Sequence, residues 1–177
     1  MEIGRFKNKD YYLNLRHKYH PKVLKLIFIL ESPPVSGKYF YDPTGKTTEP
    51  LFSAMMRLLG YIPADKKDGL EFFKEKGYLI IDATYKQVNK LKGKMRDDTI
   101  LADYKNLLSD LNSINPDKNI PIILVKSNIC KILEGRLSSD GFDIINRGTA
   151  IPFPSHGQQK RFHSAALEIL NGLDIKK

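Results

Sequence analysis

Two short segments at opposite ends of the chain carry side chains that could do chemistry. Glu31 and Ser32 directly follow an apolar run and stand before two prolines, and Ser155 and His156 follow a second run that ends in Pro152-Phe153-Pro154. A proline-bearing turn after an apolar run indicates the end of a buried strand. In an open parallel sheet, ligands bind outside the carboxyl ends of the strands. We therefore expect both segments to line one crevice.

Asp82 and a run of basic residues follow a third apolar segment. Asp82 ends the run Tyr78-Leu79-Ile80-Ile81, and residues 86–96 then hold five basic side chains and no acidic one. A run of one sign with polar and aromatic neighbours is what contacts to phosphate groups require. A solvated loop would have the same composition. Asp82 could likewise be a turn cap, and Glu31 the cap of the loop that follows it.

The overall charge favours a polyanionic partner. The 177 residues include 29 Lys and Arg against 20 Asp and Glu, which gives a net charge of +9. Nucleic acid is the polyanion that such an excess most often binds. A generally lysine-rich proteome would produce the same excess without a nucleic-acid partner. We take DNA as the expected partner.

Several classes of site are excluded or disfavoured by composition. Cys130 is the only cysteine, which excludes an internal disulfide and a cysteine-ligated cluster or structural zinc, and we expect it in the core. No histidine cluster indicates a metal, so we expect neither metal nor cofactor. Gly45-Lys46-Thr47 ends like a phosphate-binding P-loop, but Phe40 stands where that motif requires its first glycine.

Length and hydropathy predict one folded domain of residues 1–177. No apolar stretch approaches the ~20 residues of a membrane span, and the first residues lack a secretory signal. We therefore expect a cytoplasmic monomer without membrane contact. Four β-rich runs alternate with helical patterns, so the expected class is α/β with a parallel sheet covered on both faces. The four predicted strands are residues 22–30, 78–82, 120–126 and 142–152.

The order of these elements and their polar ends resembles the uracil-DNA glycosylase superfamily. Leu30-Glu31-Ser32-Pro33-Pro34 stands where the iron–sulfur branch has Gly-Glu-Ala-Pro-Gly, so the Glu matches and both glycines are lost. Asp82-Ala83-Thr84-Tyr85-Lys86 is similar to the family's second-strand motif, with Asp in place of Asn. Phe153-Pro154-Ser155 replaces the final His-Pro-Ser. The chain lacks the branch's cluster cysteines.

The resemblance implies a fold and a set of roles. The fold would be a three-layer α/β/α arrangement around a four-stranded parallel sheet in the order 2-1-3-4, with its core over about residues 22–173. Glu31 and Asp82 would be catalytic, because a carboxylate stabilises the oxocarbenium-like state of glycosidic cleavage and orients water. The residues expected to bind the extruded base are Ser32, Phe40, Asp82 and Phe153. The residues expected to bind DNA phosphates are Lys86, Ser155, His156, Gly157, Lys160 and Arg161.

Two substitutions argue against ordinary uracil excision. An ionised Asp82 only accepts hydrogen bonds, whereas the family's Asn both donates and accepts. Phe153 cannot donate to the leaving base as the family's histidine does. Excision of another damaged or deaminated base is thus the leading hypothesis. A non-catalytic nucleic-acid-binding protein and a small-molecule nucleoside or nucleotide enzyme are the alternatives.

Overall fold

The computed structural model describes residues 7–174, which form seven helices and three strands over that range. They are, in chain order, α1 Lys9–Lys18, β1 Leu26–Leu30, α2 Pro50–Leu58, α3 Lys66–Glu75, β2 Tyr78–Asp82, α4 Gly93–Ala102, α5 Tyr104–Ile114, β3 Ile122–Leu124, α6 Ser127–Ser139 and α7 Gln159–Asp174. The chain alternates helices and strands, which confirms the α/β class.

The strands form a parallel sheet in the order β2-β1-β3. All five residues of β1 are buried, as expected for a central strand with neighbours on both edges. In register, Leu30 pairs with Asp82 of β2, and Ile29 pairs with Leu124 of β3. The carboxyl ends of the three strands therefore meet at one edge of the sheet, and Glu31 directly follows the central strand there.

The structure shows three strands where four were predicted, because residues 142–152 form no continuous strand. They make two isolated parallel bridges to the β3 segment, Ile122 with Ile144 and Val125 with Ile151. Between these bridges the side chain of Asn146 takes the place of a strand backbone. Its Oδ1 accepts from the Leu124 N–H at 2.9 Å, and its Nδ2 donates to the Leu124 carbonyl at 2.8 Å. The two bridges thus flank a turn rather than a continuous ladder.

The helices pack in two connected groups. The first joins α2 to α3 and α7, and the second joins α4 to α5 and α6, while α3 contacts β2 and α6 contacts β3. Pro50 occupies the first turn of α2, where its missing N–H is not needed. Gly60, with φ +63°, follows the end of α2 in the left-handed region. Asp103 separates α4 from α5.

Helix α1 lies before residue 22 and was not among the predicted core elements. Tyr12 and the following Tyr19 belong to the hydrophobic core, and Arg16 between them is only 1% exposed. Its guanidinium forms two hydrogen bonds to the Asp110 carboxylate of α5, at 2.7 and 2.8 Å, and one to the Tyr85 hydroxyl at 2.8 Å. The core therefore extends to the N-terminal side of the predicted limit.

Within residues 7–174, no helix combines the length and apolar character required to cross a membrane.

Candidate functional site

A cavity of about 330 Å³ opens at the carboxyl edge of the sheet, and we call it the Glu31 cavity. Its size is within the range of small-molecule pockets. Its lining comes from the turn after β1, the loop that holds Tyr39, Phe40 and Tyr41 (the aromatic loop), the start of α2, and the ends of β2 and β3. Among the residues that line it are Glu31, Ser32, Tyr39, Phe40, Glu49, Phe52, Asp82, Asn89, Lys126 and Phe153. Glu31 and Ser32 of the first polar segment line this cavity, whereas the second segment reaches it only through the preceding Phe153, and Ser155 and His156 are not part of the lining.

Glu31 is buried and is contacted by cationic and amide groups from three other elements. The Lys126 ammonium contacts Oε2, and Asn128 Nδ2 donates to Oε1 at 3.1 Å. Arg96 Nε lies 3.2 Å from Oε1, but its N–H is misaligned and makes no hydrogen bond. These contacts fix the carboxylate in one orientation at the end of the central strand. Such a fixed anion can stabilise positive charge that develops in the cavity.

The backbone of Lys126 is unusual. This residue has φ +87° and ψ +134°, a conformation that glycine adopts readily and other residues adopt at a cost. Its N–H donates to the Ile151 carbonyl at 2.7 Å, which ties the end of β3 to the segment that carries Phe153. The side chain is 29% exposed and lines the Glu31 cavity. A third strand end thus contributes a charged group to the site.

Asp82 is 6% exposed, and its carboxyl group accepts no hydrogen bond from any residue in the part of the chain that the structure describes. Burial raises the pKa of Asp82 to about 7, although the nearby Arg16 guanidinium opposes this shift. Near neutral pH the group is therefore a mixture of a carboxylate and a neutral acid. The neutral acid both donates and accepts hydrogen bonds, as an amide does.

Phe40 contributes to the cavity wall from within an aromatic cluster. Its ring is 3% exposed and meets those of Tyr41 and Phe73 edge to face, with centroids 5.0 and 5.1 Å apart. The ring lines the Glu31 cavity as well. Phe40 therefore belongs both to a packed aromatic cluster and to the cavity wall.

A buried ion pair between Lys66 and Glu49 also binds the backbone of the aromatic loop. Lys66 of α3 is 1% exposed and donates to Glu49 Oε2 and to the Tyr39 carbonyl, each at 2.6 Å. A Cβ atom at Gly45 would collide with the Glu49 carboxylate and with Lys66 Nζ. Gly45 in the rejected P-loop-like segment therefore leaves room for this ion pair.

The predicted phosphate-binding residues near the C-terminus lie outside the cavity lining. Phe153 is half-buried in the cavity wall and Pro154 is buried behind it, and the chain then reaches the surface. The residues exposed there are Ser155, His156, Gly157, Lys160 and Arg161. Helix α7 begins after them, at Gln159, and includes Lys160 and Arg161. Their role in binding phosphate stays a prediction.

Lys86 lines a different, more polar cavity of about 260 Å³, which we call the Lys86 cavity. It lies between the start of α1, the loop after β2 and helix α5, and Asp82 lines both cavities. Lys86 Nζ is 3.5 Å from Asp103 Oδ1, and the Thr84 hydroxyl donates to Asp103 Oδ2 at 2.6 Å. Asp103 thus anchors the first residues of the basic run.

Sequence reasoning missed Lys126, Asn128 and Arg96 as partners of Glu31. One signal was available, since Lys126 follows the third apolar run as Glu31 and Asp82 follow the first two. Asn128 and Arg96 carry no comparable signal, because helices α6 and α4 bring them to Glu31 from distant parts of the sequence.

Among residues 7–174, no group of three or more His, Cys, Asp or Glu side chains is placed to hold a metal ion. No protein-family model, curated protein or solved structure matches the chain.

Proposed function

We propose that the protein is a divergent member of the uracil-DNA glycosylase superfamily that binds DNA and excises a damaged or deaminated base by N-glycosidic hydrolysis. The observation that carries this proposal is the joint lining of one cavity by Glu31, Phe40, Asp82 and Phe153. In the resemblance these four positions belong to separate motifs, and nothing in their sequence spacing requires them to meet. The net charge of +9 supports a polyanionic substrate.

In this proposal each wall of the cavity has a role. Glu31 stabilises the oxocarbenium-like sugar and orients the attacking water. Phe40 and Phe153 provide apolar surface for a base that has left the duplex stack. Ser32 and Asp82 bind the base. Lys86, which lines the Lys86 cavity, and the exposed residues that follow Pro154 bind the DNA backbone.

Asp82 determines which base edge the cavity can accept. As a neutral acid it pairs with a carbonyl next to a ring N–H, the edge that uracil, hypoxanthine and xanthine present. As a carboxylate it pairs only with donors. Because the pKa of Asp82 is raised to about 7, part of the protein holds the neutral acid at neutral pH. That form can bind deaminated bases that present a carbonyl. Deaminated bases are therefore the proposed substrate class.

The finer architecture is part of the same proposal. Residues 142–152 run beside β3 through two parallel bridges, at the place where the superfamily has its fourth strand. We take this segment as the counterpart of that strand, interrupted by the turn around Asn146. The order would then be 2-1-3-4, and the two groups of helices would form the outer layers.

One observation favours a second candidate function, a non-catalytic DNA-binding protein on the same scaffold. Phe153 occupies the cavity wall where a hydrogen-bond donor to the leaving base would stand. Loss of one such donor costs other enzymes about 2.7–4 kcal/mol of transition-state stabilisation. In this case the Glu31 cavity would bind an extruded base without cleaving its glycosidic bond.

The test is base release from defined duplexes that contain uracil, hypoxanthine, xanthine or an alkylated base. We expect abasic product from at least one of the deaminated substrates. Because Glu31→Gln keeps the shape but removes the negative charge, we expect it to lower the single-turnover rate by about 100-fold or more while DNA affinity stays within about twofold. Glu75→Gln, an exposed carboxylate on α3, is the matched control and should leave the rate unchanged.

The alternatives give different results in the same assay. Salt-sensitive DNA binding without abasic product from any duplex would reject catalysis and support the DNA-binding candidate. Absence of salt-sensitive DNA affinity would reject both candidates and leave a small-molecule nucleoside or nucleotide enzyme.

A further inference from the structure

Lys126 combines an unfavourable backbone conformation with a contact to Glu31. Of the residues described, Lys118 and Lys126 are the non-glycine residues with positive φ. Lys118, at φ +54°, is near the ordinary left-handed helical region, whereas Lys126, at φ +87° and ψ +134°, is outside it. Strain of this kind persists only where surrounding contacts impose it, and it is concentrated at functional sites.

The contacts around Lys126 show what imposes the conformation. Its N–H is bonded to the Ile151 carbonyl, and the next residue begins α6, so the backbone must turn sharply between β3 and that helix. The turn directs the side chain to the Glu31 cavity, where the ammonium contacts Glu31 Oε2. Glycine would make the same turn without strain. The backbone turn alone therefore does not explain why this position holds a lysine.

We propose that Lys126 is a positioning residue for Glu31, whose ammonium holds the carboxylate in the orientation that acts on the substrate. This inference rests on the proposed role of Glu31. The other two neighbours are weaker anchors, since Asn128 is uncharged and the Arg96 N–H is misaligned. Oε2 in particular has Lys126 as its partner among the described residues. The strained turn is then a stability cost retained for a functional contact.

Two substitutions distinguish the effect of the backbone strain at Lys126 from the effect of its ammonium charge. Lys126→Gly and Lys126→Ala both remove the ammonium, but only glycine relieves the backbone. We expect the melting temperature of Lys126→Gly to exceed that of Lys126→Ala by about 2–4 °C or more. Both variants should lose kcat by about tenfold or more, as commonly happens when the partner that orients a functional ligand is lost, with KM nearly unchanged.

Two further variants control for charge and for position. Lys126→Arg keeps a cation that can reach Glu31, so it should recover most of the rate that Lys126→Gly loses. Lys118→Gly removes the positive-φ strain of another lysine, whose ammonium donates to the Asp140 carbonyl away from the cavity. This variant should leave kcat unchanged. A purely structural role for Lys126 would predict loss of rate only in proportion to loss of folded protein.

Crystal structures of the wild type and Lys126→Gly provide a readout that does not depend on activity. We expect the Glu31 carboxylate to move by about 0.5 Å or more when Lys126 is lost. A wild type that releases no base would reject the proposed function, and the displacement would still decide whether Lys126 positions Glu31.

Three results would overturn the inference. They are an unmoved Glu31 carboxylate in Lys126→Gly, a wild-type kcat in that variant, and borohydride trapping of the wild type on DNA that holds a pre-formed abasic site, with no trapping in Lys126→Arg. The last would show that the Lys126 amine forms an imine with the sugar aldehyde, which a fixed counter-ion of Glu31 does not do.

Discussion

Asp82 shows at the scale of one residue how a site can weaken the fold that carries it. The carboxyl group is buried at the end of β2, and its pKa is raised from an ordinary 3.8 to about 7 because the charged form is poorly solvated there. A residue selected only for stability would be apolar or hydrogen-bonded at this position. We take the unpartnered acid as a group that awaits a hydrogen-bond partner from a ligand.

The pH dependence of stability tests this interpretation of Asp82. Between about pH 4 and pH 7 the folded state keeps a proton that the unfolded chain has lost, so the free energy of unfolding falls as pH rises. The loss is largest above pH 7 and amounts to at most about 4 kcal/mol for a pKa raised from 3.8 to about 7. Asp82→Asn removes this dependence.

The measurement is urea denaturation of the wild type and Asp82→Asn over a series of pH values. We expect the variant to gain stability relative to the wild type as pH rises from about 4 to about 8. A difference that is constant over this range would contradict the raised pKa. Asp98→Asn is the control, because Asp98 is exposed on α4 and its ion-pair partner among residues 7–174 is the exposed Lys94.

At the scale of elements, a charge pair between buried Arg16 and partly buried Asp110 helps to attach α1. Arg16 is buried, and Asp110 is its only charged hydrogen-bond partner in the described chain. Asp110→Asn leaves the guanidinium buried without a counter-charge, which costs about 3–5 kcal/mol in comparable cases. We expect a lower urea midpoint with an unchanged slope.

The double variant Arg16→Leu, Asp110→Leu tests whether the cost comes from the uncompensated charge. Replacement of both partners by apolar side chains should recover most of the lost stability. If Asp110→Asn alone were as stable as the wild type, the pair would not anchor α1.

The elements also show where sequence reasoning succeeded and where it failed. The predicted strand 78–82 has the observed bounds, because an apolar run begins after Gly77 and ends at a polar residue. The expected fourth strand holds the turn-forming residues Asn146, Arg147 and Gly148 in its middle, and the Asn146 amide bonds to both backbone groups of Leu124 from 22 positions along the chain. That contact is tertiary, and no local pattern reports it. Lys126 meets Glu31 across 95 positions, and its place after the third apolar run was the one local signal of its role.

At the scale of the whole molecule, the charge excess predicts how binding should respond to salt. Each phosphate contact that is lost reduces the slope of log K against log salt concentration by about 1. Lys90 and Lys92 are exposed in the basic run after β2. We expect the double variant Lys90→Gln, Lys92→Gln to lower the slope for duplex DNA by about 2.

The matched control changes the net charge equally at another surface. Lys105→Gln, Lys131→Gln removes two exposed lysines from α5 and α6. An equal loss of slope in both double variants would show that only total charge matters and that the basic run is an ordinary solvated loop. Fluorescence anisotropy over a series of salt concentrations gives both slopes.

The amide of Asn146 has a consequence for how the protein behaves in a crowded solution. An edge strand with free N–H and C=O groups is a template on which another chain can add a strand. Both backbone groups of Leu124, at the end of β3, are occupied by this side chain, and the bridges at Ile122 and Val125 cover the positions around it. The interrupted strand therefore leaves this margin of the sheet closed to self-association.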